Sequence, residues 1–113
     1  MEKEELCYII ERIEFMEKTF DEVESAFKNS PDFFENEAMQ RKVSLLNQYL
    51  ESGQWLRDFS VDEKGELPKD LKRGILSEDS LYNLLCDIDN SKRRSSKNGF
   101  LRKILQKFSK QLG

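Results

Sequence analysis

Residues 2–28 read "EKEELCYIIERIEFMEKTFDEVESAFK", and this stretch decides the fold class because its apolar residues recur at helical spacing. Successive apolar positions lie three or four residues apart, at Leu6, Ile9, Ile13, Met16, Phe20, Val23 and Phe27. A two-per-heptad seam sustained over about three heptads predicts one long amphipathic helix with Glu and Lys on its other faces. Ser30-Pro31 predicts its end. So narrow a seam needs a partner, within the chain or from another copy.

The region after Pro31 repeats this pattern. From about Glu37, the apolar steps of four, three and four residues predict a second helix through Met39, Val43, Leu46 and Leu50. Because the connection between the two helices is short, we expect a long antiparallel helical hairpin. Ser52-Gly53 marks an end, a kink or a close packing point of the second helix.

Two further helices are predicted in the second half of the chain. Ser77 is a candidate N-cap for a short third helix, with Glu78 and Asp79 in its first turn, where acids suit the helix dipole. A polar linker then leads to Gly99, and residues 100–112 predict a C-terminal basic amphipathic helix. No β-strand alternation is present, so the predicted fold class is all-α.

Charge is distributed unevenly along the 113 residues, which suffice for one small domain. Residues 1–90 hold all 22 acidic and 11 basic side chains, for a net charge of -11, whereas residues 91–113 hold eight basic side chains and no acid. We therefore divide the chain into an acidic helical-hairpin domain, 1–90, with an ordered polar loop at 60–76, and a basic linker and amphipathic helix, 91–113.

The basic tail has two interpretations. It binds an anionic membrane surface, nucleic acid or an acidic partner groove, or its apolar stripe completes the protein's own core. The candidate residues for binding an anionic surface are Lys92, Arg93, Arg94, Lys97, Arg102, Lys103, Lys107 and Lys110.

Several function classes are disfavoured by composition. The chain contains no histidine, which removes the commonest general base and zinc ligand, and its two cysteines lack CxxC spacing. A calcium-loop reading of Ser60–Gly65 fails because Lys64 stands where a ligand is needed. We therefore expect no catalytic residues, no cofactor and no metal. The short apolar runs and the acidic start "MEKEEL" predict neither a membrane span nor a signal peptide, and hence a cytoplasmic protein.

Residues 55–85, "WLRDFSVDEKGELPKDLKRGILSEDSLYNLL", carry the most specific motif. It combines a Trp with an Asp three residues on, an acidic-Gly-acidic-Leu-Pro run, and Leu-Lys-Arg-Gly followed by a hydrophobic pair and Ser-Glu-Asp. This motif resembles that of the bacterial family catalogued as domain of unknown function 4298, over about residues 6–90. The resemblance implies a cytosolic bacterial helical protein, supplies no reaction, ligand or partner, and leaves the basic tail unexplained.

The motif also defines a candidate site. Gly65 and Gly74 are predicted to take positive φ, and Leu67-Pro68 to fix an extended step. In one hypothesis, Arg73 and Lys72 pair with acids such as Asp58, Glu78 or Asp79 and lock the loop against the hairpin near Trp55. In the other, the loop presents these groups to a partner or an anionic ligand. The candidate residues are Trp55, Asp58, Asp62, Glu63, Gly65, Pro68, Leu71, Lys72, Arg73, Gly74, Ser77, Glu78 and Asp79.

Three functions follow from these observations. The first is a non-enzymatic helical interaction module that binds a protein partner or another copy of itself. The second is a peripheral module that docks its basic tail on an anionic membrane or nucleic acid. The third is a small enzyme centred on the acids of the loop.

Overall fold

A computed structural model of the protein describes residues 2–77 and 79–95. Within these ranges the chain is all-helical, which confirms the predicted fold class for this part of the protein. The helices are α1 (Lys3–Asn29), α2 (Glu37–Glu51), α3 (Gln54–Glu63) and α4 (Ser80–Ser95), and short 3₁₀ turns lie at Phe33–Glu35 and Gly74–Leu76.

Helix α1 is the longest element, and its apolar seam forms the spine of the core. The predicted seam residues Ile9, Ile13, Met16, Phe20 and Val23 are all buried. Burying an aliphatic or aromatic side chain of this size contributes about 1.5–3 kcal/mol relative to leaving it exposed. The seam therefore accounts for much of the free energy that holds the other elements against α1.

Helices α1 and α2 are joined by an aromatic cluster and an ion pair. Phe27, Phe33 and Phe34 pack edge to face, with ring centroids 5.1–6.5 Å apart. Further along, Lys42 of α2 pairs with Glu22 of α1. Asn36 begins α2, because its side-chain oxygen accepts a hydrogen bond from the Met39 backbone N–H at 3.1 Å.

The chain turns sharply between α2 and α3. Gly53 adopts a left-handed conformation with φ of 87°, which glycine takes at no steric cost. The helix that follows corrects the predicted loop at 60–76, since residues 60–63 belong to α3. Val61 is buried in the core, and the Ser60 hydroxyl donates to the Leu56 carbonyl at 3.0 Å, so both side chains suit a helix.

The segment between α3 and α4 is anchored by apolar residues in spite of its polar composition. Leu67, Ile75 and Leu76 are buried in the same core as the α1 seam. The 3₁₀ turn that holds Ile75 packs against α1, α3 and α4. This segment is therefore an ordered part of the core rather than a loose connection.

Helix α4 differs from the prediction at both ends. It begins at Ser80, so Ser77 is not its N-cap; the Asp79 carbonyl accepts the first helical hydrogen bond, from the Asn83 N–H at 2.8 Å. It ends at Ser95, so residues 91–95 are helical rather than linker. The helix is held against the core by four buried residues, Leu81, Leu84, Leu85 and Ile88.

Candidate functional site

The most deeply buried charge of the described chain is Asp58, at the centre of the motif region. Its side chain is fully buried and accepts hydrogen bonds from Arg12 Nε at 3.0 Å and Arg12 Nη2 at 2.5 Å. The Tyr49 hydroxyl donates a third bond at 2.5 Å. We call Arg12, Tyr49 and Asp58 the Asp58 cluster. It joins α1, α2 and α3 at one point.

Electrostatics in the Asp58 cluster favour one protonation state for each group. Burial, followed by the hydrogen bond to Asp58, raises the pKa of the Tyr49 phenol well above its ordinary value. The hydrogen bond to Asp58 likewise raises the pKa of Arg12. Every buried side-chain nitrogen and oxygen of the described residues has a hydrogen-bond partner. The buried polar atoms of the Asp58 cluster therefore all have hydrogen-bond partners within the protein, which is typical of a cluster that stabilises the fold.

Arg73 connects the segment after α3 with the end of α3, and it also bonds to backbone carbonyls within that segment. Its guanidinium pairs with Asp62, and it donates to the Pro68 carbonyl and, at 3.3 Å, to the Leu71 carbonyl. The prediction gave Asp58, Glu78 and Asp79 as examples of acids that pair with Arg73; of these, Asp58 is bonded to Arg12, and Glu78 lies outside the described residues. Arg73 instead closes the turn that contains it.

Lys72 reaches a different element. Its ammonium donates to Asp21 of α1 at 2.8 Å, and this hydrogen bond raises the pKa of Lys72. Asp21 was not among the acids given as examples of partners for Lys72, which were Asp58, Glu78 and Asp79. The pair crosses 51 sequence positions, and nothing in the local charge pattern indicates it.

A second buried acid, Glu17, was missed at the sequence level. Its Oε2 accepts a hydrogen bond from the Ile75 backbone N–H at 2.7 Å, and a Cβ on Gly74 would lie 3.0 Å from its Oε1. Gly74 has no positive φ, which corrects the prediction; a larger residue there would have to displace the Glu17 carboxylate by a few tenths of an ångström. The Glu-rich face of α1 gave no signal that one of its acids is buried.

Trp55 meets the same turn from the opposite side. Its indole N–H donates to the Ile75 carbonyl at 2.8 Å, and its ring stacks on Phe59 with centroids 5.1 Å apart. Both backbone polar groups of Ile75 are thus bonded to side chains from other elements, Glu17 and Trp55. These two bonds support the locking hypothesis for the backbone of this turn.

The remaining motif residues have less specific surroundings. Gly65 has the predicted positive φ, at 72°, and Leu71 is partly buried against the core. Glu63 ends α3 and is exposed, as is Pro68, whose carbonyl accepts from the Leu71 N–H at 3.2 Å. The Ser77 hydroxyl contacts that of Ser80, Asp79 is exposed, and Glu78 lies outside the described residues.

A surface groove of about 600 Å³ runs between α2 and α4. We call it the α2–α4 groove. Its volume falls within the range of about 300–1,000 Å³ that is usual for binding clefts. The apolar side chains that line it are Phe34, Val43, Leu50, Tyr82, Leu85 and Ile88.

The α2–α4 groove combines an apolar floor with an accessible aromatic wall. Leu85 and Ile88 are buried beneath it, whereas Tyr82 is 60% exposed. A hydrogen bond with Cys86, one turn further along α4, raises the pKa of the Tyr82 phenol. Glu51 and Asp89 add carboxylates to the lining. Lys92 adds one cation to the same lining.

The predicted anionic-surface residues fall only partly in the described chain. Lys92 lines the α2–α4 groove, and Arg93 pairs with Asp89 at 3.1 Å. Arg94 belongs to α4. The other five predicted residues lie outside the described residues, namely Lys97, Arg102, Lys103, Lys107 and Lys110.

Comparison with known families agrees with the motif. The model of the family described as Domain of unknown function (DUF4298) matches residues 13–95. The chain belongs to this family. The match covers the Asp58 cluster except for Arg12, the whole segment between α3 and α4, and α4 to its end, and it leaves out residues 96–113. No curated protein and no solved structure matches the chain.

Among residues 2–77 and 79–95, no group of three or more His, Cys, Asp or Glu side chains is placed to hold a metal ion. In the same part of the chain, each helix is too short or too polar to cross a membrane.

Proposed function

We propose that the protein is a non-enzymatic helical interaction module whose α2–α4 groove receives one face of an amphipathic helix with basic residues on its other face. In this proposal α1 and α2 form an antiparallel hairpin that supports the groove. The observation that carries it is the groove itself, with its buried apolar floor and the 60% exposed Tyr82 at its wall. Helix-in-groove recognition depends on such apolar surfaces.

Charge supports a basic ligand. The described residues contain 21 acidic and 14 basic side chains, for a net charge of -7, and the groove itself is lined by two acids, Glu51 and Asp89, and one base, Lys92. A field of this sign attracts cationic partners and repels acidic ones. In the motif region, Asp58, Trp55 and the Ile75 backbone are hydrogen-bonded within the protein, which favours a structural role for these groups in the fold.

A model peptide tests the proposal. The probe is a fluorescein-labelled 14-residue helix of Leu and Lys at helical spacing, and binding to the full chain is followed by fluorescence anisotropy. We expect saturable binding that falls at least about tenfold in Tyr82→Ser, because truncating an aromatic anchor at the centre of an interface commonly costs more than 1 kcal/mol.

The chain offers a matched control. Phe15 is an aromatic side chain of α1 that is 55% exposed and lies outside the groove, so Phe15→Ser should leave binding unchanged. A Leu–Glu peptide of equal length tests whether binding depends on the positive charge of the peptide, and it should bind much more weakly. Equal losses in Tyr82→Ser and Phe15→Ser, or no binding of the Leu–Lys peptide to either the full chain or its Ile104→Ser variant, would show that the groove has no such function.

A further inference from the structure

The described chain stops beside the α2–α4 groove. Helix α4 forms one wall of the groove through Tyr82, Cys86, Asp89 and Lys92, which follow one another at successive turns. The described part of α4 reaches Ser95, three residues beyond Lys92. The 18 residues that follow in the sequence, 96–113, are thus tethered at the mouth of the groove.

We propose that residues 100–112 of this chain dock in the α2–α4 groove in cis, with their apolar side inward and their direction opposite to that of α4. This inference rests on the proposed function of the groove as a site for a basic amphipathic helix. It identifies the occupant of the groove in the absence of a partner, and it makes the tail a competitor of any helix that a partner supplies.

The dimensions of the tail and the groove agree. At 1.5 Å per residue, the α4 wall from Tyr82 to Lys92 is about 15 Å long, and a helix over residues 100–112 is about 20 Å long. Asn98-Gly99 supplies residues that favour a reversal of the chain before this helix. The apolar side of the tail at helical spacing consists of Phe100, Leu101, Ile104, Leu105, Phe108 and Leu112.

Charge and tethering both favour docking in cis. Residues 96–113 carry five basic side chains and no acid, whereas the described residues carry a net charge of -7. A short tether raises the effective concentration of the tail near the groove to about the millimolar range. A partner helix must therefore bind with higher affinity, or be supplied at higher concentration, than it would need for an empty groove.

Native Cys86 provides a direct test because it lies in the groove lining. In an antiparallel return, residue 108 comes back to about the level of residue 86. We therefore combine Cys7→Ser, which removes the other native thiol, with Phe108→Cys in the full chain. Under limiting diamide we expect an intramolecular 86–108 disulfide, detected by mass spectrometry of proteolytic peptides and by a monomer of altered mobility on non-reducing gels.

Gln106→Cys in the same Cys7→Ser background is the matched control. Residue 106 is two positions from 108, which places it about 200° away around a helix, on the polar side. Its disulfide with Cys86 should form at least about tenfold more slowly than that of Phe108→Cys. Equal rates for the two variants, the absence of the 86–108 disulfide, or linked dimers in place of linked monomers would overturn docking in cis; dimers would assign the groove to a second copy.

The Leu–Lys peptide separates this inference from the proposed function. If the groove has both roles, Ile104→Ser weakens the tail and raises the affinity of the full chain for the peptide several-fold. If the 86–108 disulfide forms but neither wild type nor Ile104→Ser binds the peptide, the tail docks in cis and the proposed function fails. If the peptide binds with Tyr82 dependence and the disulfide is absent, the function stands and the inference fails.

Discussion

Replacing Asp58 with Asn removes one negative charge from the Asp58 cluster while keeping the shape of the side chain. Asp58 accepts three hydrogen bonds, two of them from the Arg12 guanidinium. Removing one partner of a buried ion pair costs about 3–5 kcal/mol, since the other charge stays buried. The Arg12 side chain is 15% exposed and regains some hydration, so we expect the lower end, about 3 kcal/mol.

The assay is urea unfolding at pH 7, followed by far-ultraviolet circular dichroism. For a domain of about this size, a loss of 3 kcal/mol corresponds to a melting temperature lowered by about 12–24 °C. Glu5→Gln is the control, since it breaks the exposed pair with Arg57, and such pairs contribute less than about 1 kcal/mol. Arg12→Gln combined with Asp58→Asn should show a coupling energy of at least about 1.5 kcal/mol.

Two results would refute this reasoning. A cost below about 1 kcal/mol for Asp58→Asn would mean that the cluster does not join the three helices energetically. A coupling energy within about 0.5 kcal/mol of zero would mean that Arg12 and Asp58 act independently in spite of their contact. In either case the acidic residues of the motif would again be candidates for a binding site.

The remaining predictions concern the motif turn and Tyr49. Gly74→Ala should cost about 1–3 kcal/mol in urea unfolding, because its Cβ would lie 3.0 Å from Glu17 Oε1. Gly65→Ala should cost about 1–2 kcal/mol from its positive φ alone, since the space around it is open. Trp55→Phe should lose about 1 kcal/mol with its hydrogen bond, again by urea unfolding. Burial raises the Tyr49 pKa, so above about pH 10 the unfolded chain binds fewer protons than the folded chain. Stability should therefore decrease from pH 9 to pH 11, and less so in Tyr49→Phe; an equal decrease would contradict the assignment.

The sequence predicts the helices better than their boundaries. The α1 seam is buried at five of its seven predicted positions, and Leu6 and Phe27 are partly buried, because helical spacing places these residues on one side of α1. Ser52-Gly53 was correctly identified as an interruption of the second helix, but the sequence analysis did not predict α3 as a separate helix after it. The start of α4 was misjudged because Ser77, Asp79 and Ser80 all suit an N-cap, and tertiary packing decides among them.

The ties between elements could not be predicted. Asp58 was singled out as a motif residue, but its partner Arg12 is 46 positions away, on a helix with many alternative charges. Glu17 resembles every other acid of α1, and only the turn that packs over it makes it a buried acceptor. The α2–α4 groove likewise depends on how two helices are spaced, which no periodicity within either helix specifies.

Trp55 is the sole tryptophan of the chain, and its position has a practical consequence. Its ring stacks on Phe59 and its N–H is bonded to the Ile75 carbonyl, so its fluorescence reports on a single junction of the molecule. Release of the motif turn would expose the indole to water and shift its emission to longer wavelength while the helices stay intact. The emission of Trp55 therefore distinguishes local opening of this turn from global unfolding.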